Sequence, residues 1–226
     1  MRRLALLLCF FLQRCCDGIQ VAEERVFVSP WKWDNNLVKI GKNVTLEAHI
    51  FYDSNDYNTS SVGQNVTEYF TSLFRRVQQH FHNNSVMISI NISKISLNQS
   101  LEVIQKPSYT TLDGNATLKN LQNYSEIYQL SNNSVVYLYT NKTPHDKNYP
   151  GAAIPGVFST FATNGTFCSN NKSAAIVVQT PGSSSHWTTV QATAKVFGTN
   201  NFDKFKEEDI RRMQEIFSRC HVKQKK

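Results

Sequence analysis

Residues 186–203, HWTTVQATAKVFGTNNFD, constrain this chain more than any other stretch, because the end of a helix is written into them. Trp187, Val190, Ala194 and Phe197 recur at helical spacing on one face, and Gly198 is a helix-terminating residue. A hydrophobic run, 174–178, and a turn-forming PGSSS come just before. The order is strand, turn, helix, glycine, short polar hook. An ordinary amphipathic surface helix has the same pattern, so the rest of the chain must decide what this one belongs to.

Periodicity supplies that context. Residues 49–53 form a short strand candidate, and 66–81 a helix with Tyr69, Phe70, Leu73, Val77 and Phe81 along one face. The run VMISINISKI alternates: Val86, Ile88, Ile90 and Ile92 share one face and Ser89, Asn91 and Ser93 the other, with Met87 the exception. Residues 117–130 read as a helix, with Leu118, Leu121, Tyr124, Ile127 and Tyr128 in register, and 135–139 as a fully buried strand. A loop at 150–156 leads to Cys168 and to 174–178, read as an edge strand. Residues 205–217 close the chain as a helix with Ile210, Met213 and Phe217 inward. This alternation of strands and helices predicts an α/β fold.

The N-terminus predicts export. Arg2 and Arg3, an apolar run over 4–12 and a polar segment make 1–18 a signal peptide, cut after Gly18. The apolar run is too short to span a bilayer and no later stretch suffices, so no transmembrane segment is expected. Residues 19–46 follow as an N-terminal segment whose Trp31 and Trp33 read as core anchors, then a domain over 47–222 and a basic tail, 223–226. Cys9, Cys15 and Cys16 leave with the signal, so Cys168 and Cys220 most simply form one disulfide. Such a closure is worth roughly 3–4 kcal/mol in the chain-entropy model.

Removing Arg2, Arg3, Arg14 and Asp17 lowers the formal charge from +7 to +5, much of it from Lys223, Lys225 and Lys226. A short basic tail reads as a solvated end and not as a nucleic-acid site, although weak contact with glycosaminoglycans suits it. The chain carries twelve N-x-S/T sequons, at Asn43, Asn58, Asn65, Asn83, Asn91, Asn98, Asn115, Asn123, Asn132, Asn141, Asn164 and Asn171. About three or four would arise by chance, so an exported chain of this kind predicts heavy N-glycosylation; a polar Asn/Ser bias is the alternative. Asn91 lies inside a strand pattern and must point outward.

With Cys168, NKSAAIVV, PGSSS and the glycine-stopped helix in place, the chain resembles the reprolysin-like metzincin metalloproteases. It is similar to those of tick saliva and to the related 28 kDa metastriate family of secreted tick proteins. The resemblance implies a metzincin-like (zincin) twisted mixed sheet with an antiparallel edge strand and flanking helices. It also implies a disulfide between the segment ahead of the edge strand and the C-terminal end, which Cys168 and Cys220 supply. In that family the helix reads H-E-x-x-H-x-x-G-x-x-H, two imidazoles one turn apart sharing zinc and the glutamate deprotonating the bound water.

Aligned on Gly198, the three histidine positions hold Gln191, Lys195 and Asn201, and the glutamate position holds Ala192. Asp203 lies one residue beyond the aspartate of the disintegrin-type branch. Lys195 would repel a divalent ion, and Ala192 has no proton-accepting atom. Asp203 also runs almost directly into the closing helix, which leaves no room for a methionine turn and implies a truncated lower subdomain; Met213 reads as core. The expectation is a secreted, glycosylated pseudoenzyme with no zinc. The resemblance makes it a salivary protein that binds an extracellular host protein and modulates haemostasis or immunity.

The alternatives are a divergent active zinc metallopeptidase and, less favoured, a lipocalin-type ligand carrier, whose eight-stranded barrel the helical patterns at 66–81 and 205–217 oppose. Elsewhere His80 and His82 form an H-x-H at the end of a helix pattern, where side chains two apart diverge. His49, His145, His186 and His221 stand singly, and Ser183 to Ser185 lack the setting of a nucleophile elbow.

Overall fold

In chain order the elements are Thr45–Tyr52 (β1), Asp56–Thr59 (α1), Val66–Asn83 (α2), Ser89–Leu97 (β2), a 3₁₀ turn at Gln99–Leu101, Thr111–Asp113 (β3) and Gly114–Ile127 (α3). Ser134–Thr140 (β4), Thr143–His145 (β5), Thr160–Ala162 (β6), Ser173–Val178 (β7), Trp187–Val196 (α4) and Glu207–Phe217 (α5) complete them. The computed structural model describes residues 38–59, 65–105, 110–146 and 159–220. The expected signal segment 1–18, Trp31, Trp33, the expected loop 150–156, His221 and the tail lysines lie outside the described residues.

The main sheet has five strands in the order β2-β1-β4-β7-β6. β1, β2, β4 and β7 run parallel, and β6 is antiparallel to β7. A small parallel ladder joins β3 to β5. The chain is therefore a mixed α/β fold, an open sheet with one antiparallel edge and helices on both faces, and not a barrel. Every residue of β4 is buried, as expected of a strand with both faces covered and both edges paired.

One face of the sheet sends Leu46, Ala48, Ile50, Val135, Tyr137, Tyr139, Ala175 and Val177 into the main core with α2, α4 and α5. The other sends Phe51, Val136, Leu138, Ala174 and Ile176 against Leu121 and Tyr124 of α3. Period-2 alternation in the strands thus divides the molecule into layers. α2 starts at Asn65, whose Oδ1 accepts from the Glu68 amide at 2.9 Å, satisfying one of the helix's unpaired donors.

Several sequence expectations need correction. The run 174–178 is not an edge strand: β7 pairs with β4 and with β6, and the edge is β6, too short at three residues to show a period. β2 is the true parallel edge, so Ile90, Ile92 and Ile95 are only half-buried, and a bulge at Ala48/His49 shifts its register. α3 begins at Gly114, earlier than expected, and Ile127 and Tyr128 are exposed because the helix ends there. The boundary at 46/47 falls inside β1, and Ile40, which bridges to Val86, and Val44 are buried in the same core.

Candidate functional site

α4 packs across β7 and β6, and four buried side chains set its rotation. The Tyr139 hydroxyl lies 2.8 Å from Thr189 Oγ1 and the Tyr137 hydroxyl 3.0 Å from Thr193 Oγ1. Thr193 already donates to the Thr189 carbonyl at 2.7 Å, so Tyr137 donates to Thr193. Burial pushes both phenols up, well above the usual tyrosine range, which keeps them neutral donors. Thr189, Val190, Ala192, Thr193, Ala194 and Val196 consequently face inward. Trp187, four residues from Gln191 and eight from Lys195, is 42% exposed, contrary to its expected place beside Val190 in the core.

The four degenerate positions divide three ways. Gln191 and Lys195 both turn toward β6: Ser159 Oγ donates to Gln191 Oε1 at 3.0 Å, and Lys195 Nζ stands 5.9 Å from the Phe161 ring centroid. Ala192 is fully buried within the main core. Asn201 turns to α5, its Nδ2 donating to Asp209 Oδ2 at 2.8 Å. Asp209 also accepts from Thr199 Oγ1 at 2.5 Å and from the Lys206 amide at 2.9 Å, capping α5. Burial works to raise the Asp209 carboxyl, but the hydrogen bonds from Thr199, Lys206 and Asn201 outweigh it and hold it below its usual value. An amide, an ammonium and a second amide do not fit zinc.

Gly198 holds the φ of +83° that ends α4. The left-handed φ favours glycine, and a Cβ there would stand 2.6 Å from Ile216 Cδ1 of α5, so that a larger residue must also displace that methyl. The disulfide Cys168–Cys220 is present, joining the segment ahead of β7 to the end of α5.

The H-x-H does diverge: His80 Nε2–H donates to the Phe202 carbonyl at 2.6 Å and His82 Nε2–H to the Ile88 carbonyl at 2.7 Å. What His80 meets instead is Trp187, 5.1 Å between ring centroids, and His186, at 6.3 Å. Burial lowers both pKa values; the Phe202 carbonyl and Asp203 partly offset this at His80, and His80 and Arg76 add to it at His186. Among the described residues, no three His, Cys, Asp or Glu side chains converge as a metal set.

Sequence reasoning missed an ion cluster in which Asp53 is buried and Lys142 and Glu102 are half-buried. Lys142 Nζ lies 2.6 Å from Asp53 Oδ2 and 2.8 Å from Glu102 Oε2, and Thr140 Oγ1 donates to the same Asp53 oxygen at 2.6 Å. Asp53 and Thr140 stand at the C-terminal ends of neighbouring parallel strands, where the sheet's growth reverses direction, a customary place for polar sites. The available signal was the pair of polar residues closing two apolar strand runs. A cleft of about 670 Å3 opens at the opposite, N-terminal ends of the strands, lined by Glu47, His49, Ser93 and Ser134 among others.

No family model matches this chain, and no curated protein matches it. Among solved structures it is similar to metalloproteinase-II from Bacteroides fragilis, at 18% identity and a TM-score of 0.46, over 77% of this chain and 53% of that one. It is also similar to a chaperone–substrate complex, at 10% identity and a TM-score of 0.46, over 79% of this chain and 36% of that one. The chain spans about half the length of the first and about a third of the second, and at these values neither likeness bears on what it does.

Proposed function

We propose that this chain is a secreted, N-glycosylated relative of the metzincins that acts by binding and not by peptide hydrolysis. The observation that carries the reading is the engagement of all four degenerate positions in packing or hydrogen bonds: Gln191 with Ser159, Lys195 over Phe161, Asn201 with Asp209, and Ala192 in the core. Zinc-dependent hydrolysis needs a Lewis acid and a base at these places, and no side chain among them serves as either. Glycosylation draws support from exposure: nine of the twelve sequon asparagines are exposed, and Asn98, Asn115 and Asn123 are half-buried. The resemblance to salivary proteins adds the role, modulation of host haemostasis or immunity through an extracellular protein partner.

The test is to purify the protein from eukaryotic culture medium and measure bound zinc and peptide cleavage together. The expected result is substoichiometric metal and no cleavage. Chelator-sensitive cleavage by the wild type would overturn the reading. The triple change Gln191→His, Lys195→His, Asn201→His should gain zinc affinity by calorimetry yet remain a poor protease. Failure to gain it would count against the alignment on Gly198.

A further inference from the structure

The face of β1 bearing Glu47, His49 and Phe51 is covered by a helix along only part of its length. α3 packs over Phe51, with the Tyr124 ring 4.8 Å away, and ends at Ile127. The uncovered part is the cleft of about 670 Å3, within the roughly 300–1,000 Å3 of small-molecule sites. Its polar groups are already organised. Asn91 Nδ2 donates to Glu47 Oε2 at 2.7 Å, and Ser93 Oγ donates to the same oxygen at 2.6 Å. Asn91, Ile92 and Ser93 are also one sequon, in strand register beside Glu47. The nitrogen that accepts a glycan therefore rests on a carboxylate of the cleft wall. The asparagines of two further sequons, Asn43 and Asn132, line the same cleft.

We propose that this cleft is a carbohydrate seat, occupied by the chain's own N-glycan on Asn91, with the first N-acetylglucosamine over Glu47 and His49. Glycan transfer forms a bond from Asn91 Nδ2 to the sugar's C1, breaks the C1–O bond to a lipid-linked diphosphate, and releases one amide proton. The second Nδ2 hydrogen remains and still donates to Glu47. Sugar hydroxyls and the acetamido group are donors and acceptors of the kind that a carboxylate, an imidazole and serine hydroxyls pair with. Covalent attachment at the rim holds the sugar at high effective concentration, so weak contacts suffice to seat it. The proposal rests on the reading of the chain as a secreted glycoprotein.

His49 reports occupancy. Burial lowers its pKa, Glu47 opposing and Lys94 adding to the shift, so its ring is neutral at pH 7 and open to carbethoxylation wherever reagent can reach. The glycoprotein secreted from eukaryotic cells would be treated with diethyl pyrocarbonate, His49 modification followed by peptide mass spectrometry, and Asn91 occupancy read from glycopeptides. Asn91→Gln keeps the amide but removes the sequon, and His49 should then react several-fold faster than in wild type. Ser93→Thr, which keeps sequon and hydroxyl, and Asn141→Gln, an exposed sequon beyond the other end of β4, should match wild type. Equal rates in wild type and Asn91→Gln, with Asn91 glycosylated, would overturn the seat. An empty Asn91 among otherwise filled sequons would overturn it too while sparing the glycoprotein reading. Empty sequons throughout would overturn both.

Discussion

Gly198 shows how much one residue without a side chain can decide. Its left-handed φ ends α4, its amide bonds back to the Lys195 carbonyl at 2.9 Å, and its bare Cα admits Ile216. Gly198→Ala must strain the backbone and push the Ile216 methyl aside, and its expected cost is about 1–3 kcal/mol by urea unfolding. A loss under half a kcal/mol would mean that the turn relaxes freely. Asp209 is the polar counterpart across the same turn, gathering Thr199, Asn201 and the start of α5 on one carboxylate. The glycine was legible because helix ends announce themselves in sequence. The joining role of Asp209 was not, because Asn201 and Thr199, eight and ten residues away, reach it from the turn between α4 and α5.

At the scale of elements, α4 illustrates how packing overrides pattern. Its apolar spacing suggested an inward face through Trp187, Val190, Ala194 and Phe197. Val190, Ala194 and Phe197 are buried as that spacing suggested, but the hydroxyl pairs to Tyr137 and Tyr139 bring Thr189 and Thr193 inside as well, and Trp187 turns out. Removing one partner of a buried pair leaves the other unsatisfied. Tyr139→Phe should therefore cost about 1–2 kcal/mol in thermal unfolding, and adding Thr189→Val should cost less than the sum of the single changes. Strict additivity would show that the pair contributes nothing as a pair. The disulfide acts at this scale too, tying residues 52 apart and fastening the end of α5 beside β7, worth about 4 kcal/mol in the chain-entropy model.

For the whole molecule, the histidines set a pH dependence. His49, His80 and His186 all have pKa values lowered by burial, so the unfolded chain binds more protons than the folded one as pH falls. The stability they contribute is complete above their ordinary value of about 6.5 and is lost as pH drops through the folded values. The melting temperature should accordingly fall between pH 7.5 and 5.5, and His80→Gln should reduce the slope; a flat profile would contradict the shifts. Sequence alone determined the alternation of strands and helices, the buried character of β4, the glycine that ends α4, the pairing of Cys168 with Cys220 and the outward setting of Asn91. Each follows from local periodicity, from turn chemistry or from counting. Only the tertiary structure decided that β7 is interior and β6 the edge, that Gln191 and Lys195 lean on β6 while Asn201 turns to Asp209, and that Asp53, Glu102 and Lys142 meet. Strand order and polar pairing across 40 to 89 residues depend on which surfaces remain after the core has closed, and no local pattern encodes that.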